Sequence, residues 1–245
     1  MNENTEIEKD PKNVLMLLSL YVAMYFLIII FPYIIFGFKI ESGLVSMPDL
    51  IDLVFYPPVF GVLLFVIYES VKSDNQPKYI KYIAFIMLVI HFEGHGLHWA
   101  ANAIDVLVYG NSSIPKEIAD FAYFLDEILS HKIMFGGILG FFFVLFVIDI
   151  RYNKYKKYNP VWGLLGIVQG LLFTISFIEG QFIIDAMIIV AVFLVSMFVI
   201  HGKDILKARD KPMCWFVLLF LISMYIWAIL YVLIFGGLYQ PSEFL

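Results

Sequence analysis

Cysteine is nearly missing: Cys214 is the only one in 245 residues. A lone thiol excludes an intramolecular disulfide and any cysteine-based zinc or iron–sulfur site. Charge is scarce as well, at 15% of residues, against about 25% in a typical soluble domain. Sixteen Lys and Arg against 21 Asp and Glu leave a net charge of −5, so no basic excess offers itself to nucleic acid. With 62% hydrophobic residues, the chain is neither disordered nor an ordinary soluble enzyme. Low-complexity tracts, lipidation motifs and polar stretches long enough to fold as a soluble domain are lacking too.

Long apolar runs fill the space. Seven of them, near 14–38, 50–71, 80–104, 128–150, 161–180, 182–201 and 213–237, reach the roughly 20 residues needed to cross a bilayer. The sequence therefore predicts an all-α, polytopic membrane protein: one bundle of seven transmembrane helices over 1–245, with a polar N-terminus at 1–12. The first run is too long and unbroken for a signal-peptide core. Its acidic flank lacks a small-residue cleavage site, so the run is expected to be retained.

Basic residues predict the orientation, because Lys and Arg are held on the cytoplasmic side. The connections after the second, fourth and sixth runs carry Lys72, Lys78, Lys81, Arg151, Lys154, Lys156, Lys157, Lys203, Lys207, Arg209 and Lys211, while the alternate ones carry only Lys39, Lys116 and Lys132. This bias places the N-terminus in the cytoplasm and the C-terminus outside, in the plasma membrane for a prokaryotic source. Tyr152, Tyr155, Tyr158 and Trp162 read as an aromatic belt at the inner interface.

Of five histidines, four fall between 91 and 131, and the fifth, His201, lies among the basic residues after the sixth run. At 100° per residue, His91, His95, His98, Asn102 and Asp105 occupy about 80° of one helix face. Glu93 points the other way. Entering the fourth span, Asp120, Glu127 and His131 stack within about 40° if that segment is continuously α-helical, with Asp126 and Ser130 on an adjacent stripe. Glu179, Asp185, Asp49 and Asp52 arrive at a similar depth. The outer half thus collects the polar groups, and the inner half reads as almost uniformly apolar.

An ionised group near the bilayer centre costs at least about 2.5–3.5 kcal/mol, so such residues face the bundle interior and pair there. Neutral imidazoles and carboxylates from two helices are the ligand set for a divalent transition metal, zinc or iron first and copper after them. The expected ligands are His91, His95, His98 and His131. Glu127, Asp126 and Glu179 are the candidate catalytic carboxylates, and Asn102 and Asp105 orient an imidazole or contact the cofactor. These residues point to an intramembrane metalloenzyme, a hydrolase or oxidoreductase of a membrane lipid or other apolar substrate. Two alternatives use the same groups. A haem electron carrier needs His95 or His98 opposite His131; a metal- or proton-coupled transporter needs a polar path continuing inward.

Overall fold

The structure, a computed structural model, describes residues 8–36, 47–108, 111 and 113–241. Lys39 and the side chains of Asp49, His201 and Lys203 lie outside that description. Among the described residues, seven helices are long and apolar enough to cross a membrane. They are α1 (Lys12–Phe36), α2 (Met47–Val71), α3 (Lys78–Val108), α4 (Lys116–Tyr152), α5 (Pro160–Glu179), α6 (Ile183–His201) and α7 (Pro212–Phe235). The architecture is that of a multi-pass membrane protein, and no strand occurs among the described residues.

Helix boundaries follow local chemistry. Asn159 caps α5, its side chain accepting from the Val161 N–H at 3.0 Å, and Pro160 supplies the first turn. Pro212 opens α7 in the same way, where its missing N–H costs nothing. Gly236 ends that helix with φ 77°, a left-handed conformation that glycine adopts without strain. α2 runs through Pro57 and Pro58 without a break, although neither can donate to the carbonyl four residues back.

One departure from α geometry matters for the site. Residues Phe124–Ser130 of α4 form a π segment. Its wider turn advances each residue by less than the α-helical 100°, so the phase expected for Asp120, Glu127 and His131 does not hold. Asp120 instead pairs with Lys116 at 2.6 Å on the exposed surface. Asp126 is the carboxylate that turns inward and is buried.

Small residues set the close approach of α3 and α4. A Cβ built on Gly94 of α3 would lie 2.8 Å from the Met134 Cα, and one on Gly137 of α4 would lie 2.8 Å from the His91 Cα. The two backbones touch, which fixes the α3 histidines against α4. Gly137→Leu should therefore force α3 and α4 apart and lower thermal stability sharply. Gly136→Leu is the control, since a Cβ there meets nothing within 4 Å; equal melting temperatures for the two variants would refute this account. Below this contact the core is aromatic, with Tyr21, Phe60, Phe141, Phe142, Phe173, Phe177, Phe216 and Phe220 fully buried.

The end of the bundle bearing the basic connections is not uniformly apolar, as the sequence led us to expect. Asp149 is 0% exposed. It accepts from Asn153 Nδ2 (3.0 Å), Tyr155 Oη (2.6 Å) and the backbone N–H groups of Met213 and Cys214 (both 3.1 Å). Lys211 Nζ donates to the Asp149 carbonyl at 3.0 Å, and Lys9 Nζ to the Val71 carbonyl at 3.1 Å. Burial lowers the Lys9 pKa, and burial together with the Asp149 charge raises that of Tyr155. A parallel bridge, Lys9 to Tyr155, ties the N-terminal segment to this end.

Candidate functional site

The opposite end holds His91, His95, His98 and His131. α3 contributes His91, His95 and His98, α4 contributes Asp126, Glu127 and His131, and α2 contributes Asp52 and Tyr56. Two nitrogen–oxygen pairs form across helices. His95 Nε2 lies 3.2 Å from Asp52 Oδ2, and His98 Nδ1 lies 2.8 Å from Asp126 Oδ1. Both pairs are largely buried, so each imidazole nitrogen and its carboxylate oxygen are held against one another away from solvent.

His98 also faces His131, with ring centroids 4.5 Å apart. His131 donates from Nδ1 to the Glu127 carbonyl at 2.9 Å, one turn back on its own chain. In the neutral ring that bond fixes the tautomer and leaves Nε2 as a lone-pair donor. Phe135 stacks on the ring at 5.6 Å and 9°. Gly180 closes over it, for a Cβ there would approach His131 Cγ to 2.9 Å.

His91 is different. Its Nδ1–H donates to the Met134 carbonyl at 2.7 Å, and its Nε2 accepts from the Tyr56 hydroxyl, also at 2.7 Å. Both ring nitrogens are engaged, so His91 locks α2, α3 and α4 together. Tyr56 in turn stacks on the His95 ring at 4.6 Å.

The remaining sequence candidates sit around this centre. Glu127 Oε2 is 3.9 Å from His131 Nδ1 and accepts from Gln240 Nε2 at 3.4 Å. Gln240 also donates to the Glu179 carbonyl at 2.7 Å, which brings the end of α5 to the cluster. Asn102 and Asp105 are half-buried further along α3; among the described residues no hydrogen bond or ion pair joins either to a site histidine. Asp185 pairs with Lys132 at 2.9 Å. Gln181, with φ 51°, forms the turn after α5 and donates to the Tyr123 hydroxyl at 2.6 Å.

Tyr56 and Gln240 were not singled out from sequence, and Asp52 only by its depth. The signal for the first pair was present: Asp52 and Tyr56 are i, i+4 at the start of an apolar run, hence on one face. Nothing in the sequence marks Gln240. Comparison with family models, curated proteins and solved structures finds no match for the chain.

Proposed function

We propose that this protein is an intramembrane metal-dependent enzyme that acts on a lipid or other apolar substrate through the His/carboxylate cluster. One observation carries the reading: imidazole nitrogens and carboxylate oxygens from three helices meet in pairs inside the cluster, His95 with Asp52 and His98 with Asp126. Such nitrogen and oxygen donors brought together from several helices are the ligand set of a divalent transition metal inside a bundle.

The spacing suits a metal. Bonds of about 2.1 Å at angles between octahedral and tetrahedral put neighbouring ligand atoms about 3.0–3.4 Å apart. The two pairs, at 3.2 and 2.8 Å, lie in or close to that range. Among the described residues, no group of three or more His, Cys, Asp or Glu forms a ready metal cage. The reading therefore requires a side-chain rotation on binding that joins His131, or the His95–Asp52 pair, to His98 and Asp126.

A metal bound here would supply Lewis acidity or an activated water. The chain's own residues do the rest. Glu127, steadied by Gln240, is placed to take up and return a proton near His131. Tyr56 and His91 hold α2 and α3 in register, and Gly180 permits the end of α5 to close over His131. On the positive-inside reading the cluster opens toward the outer leaflet, with the N-terminus in the cytoplasm.

Haem fits poorly. Two axial imidazoles must stand on either side of a macrocycle, whereas His98 and His131 are in ring contact and their helices touch one turn away. The test is elemental analysis of detergent-purified protein, with an absorption spectrum of the same sample. About one zinc, iron or copper per chain without a Soret band is expected. Neither metal nor haem after metal-replete expression would end the proposal.

A further inference from the structure

Glu93 lies outside the site and outside every contact that builds it. It is exposed, on the side of α3 turned away from the bundle. It is also near mid-bilayer: it lies close to the middle of the Lys78–Asp105 span, and the next residue back, Phe92, packs 3.6 Å from a Cβ built on Gly61, midway along α2. A carboxyl facing hydrocarbon at that depth is disfavoured by several kcal/mol, and intramembrane acids almost always face a partner.

The surroundings of Glu93 define that partner. Tyr82, Ile86, Val89, Glu93, Gly96 and Ala100 follow one another at intervals of 4, 3, 4, 3 and 4, and all are exposed. This is the spacing of a two-helix seam. Gly96 and Ala100 form a small-xxx-small pair one turn from the carboxyl, and a Cβ on Gly96 would meet nothing within 4 Å.

We propose that this face of α3 is the interface of a symmetric homodimer. The seam is self-complementary. A two-fold axis along the membrane normal brings the two copies of Glu93 to the same depth, where their carboxyl groups can hydrogen-bond each other. Of the described Lys and Arg side chains, Lys132 comes nearest that level and is paired with Asp185 at 2.9 Å, while the others stand at or beyond the helix ends. Gly96 and Ala100 let the two α3 backbones approach, and Glu93 fixes their register as a polar seam residue does in a coiled coil. The inference is independent of the metal reading.

Disulfide cross-linking of the full chain in proteoliposomes tests it. Val89→Cys, Gly96→Cys and Ala100→Cys lie on the seam, Val192→Cys is an exposed control on α6, and the native Cys214 is buried and silent. Mild oxidation should give a product of twice the chain mass at the seam positions and little at the control. Equal linking at seam and control, or a product of any other mass, would overturn the proposal. Glu93→Leu should weaken dimerisation on lipid dilution about tenfold, with Glu93→Gln retaining it; Glu93→Leu dimers as strong as wild type would also overturn it.

Discussion

His98→Ala is expected to lower metal affinity by at least about 100-fold while the bundle stays folded. Loss of a group that merely orients a ligand already costs about 10–100-fold. His98 is central to the cluster, since its ring meets both Asp126 and His131. The informative comparison is His91→Ala. That histidine bonds to Met134 and Tyr56 through its two nitrogens, so its removal leaves a carbonyl and a hydroxyl unpaired in the core. Each unpaired group costs roughly 1–3 kcal/mol. The two variants should separate: His98→Ala loses metal with a modest change in melting temperature, and His91→Ala loses stability with metal retained. If both lose only stability, the histidines are a packing seam. Acid should mimic His98→Ala. Ligation needs neutral imidazole, so protons compete with metal below the ordinary histidine pKa of about 6.5, and bound metal should fall as pH drops through that range.

The seven helices and the histidine stripe on α3 were legible because their signals are periodic and long. The observed spans match the apolar runs to within a few residues at most ends, and the α4 helix extends further back, to Lys116. The partners of the histidines were less legible. Asp126 and Asp120 compete for the inward face, and a 100° wheel brings in the wrong one because the π segment Phe124–Ser130 shifts the phase. No residue type in that stretch announces a π turn. Asp52 was hidden by position: an acid near the start of a span reads equally well as an interface residue. Asp149 was hidden for the same reason at the other end, next to Arg151, where charge is expected. Local patterns carry helices; they do not carry which helix end another helix will seal.

Asp149 gives the second large expected effect. Its carboxylate caps a helix to which it does not belong. The Met213 and Cys214 N–H groups are among the first of α7, which lack intrahelical acceptors, and both donate to Asp149 Oδ2. Lys211, the residue before the helix, provides no side-chain cap of its own. The other oxygen receives Asn153 and Tyr155. An ordinary cap is worth about 1 kcal/mol, but here the Met213 and Cys214 N–H groups and the Tyr155 hydroxyl would lose their acceptor, at roughly 1–3 kcal/mol each, while Asn153 keeps the Val71 carbonyl. Asp149→Ala should therefore lower the melting temperature by roughly 10 °C for a chain of this size. Asp149→Asn should recover little, because its amide nitrogen must face at least one of the same donors. Eighteen residues of helix separate Asp149 from His131, or about 27 Å at 1.5 Å per residue, so bound metal should be unchanged at temperatures where the variant is folded. A melting temperature within about 2 °C of wild type would show that water or a rotated side chain replaces the cap. Loss of metal from folded Asp149→Asn would mean that the two ends of α4 are coupled, which nothing in the packing between them requires.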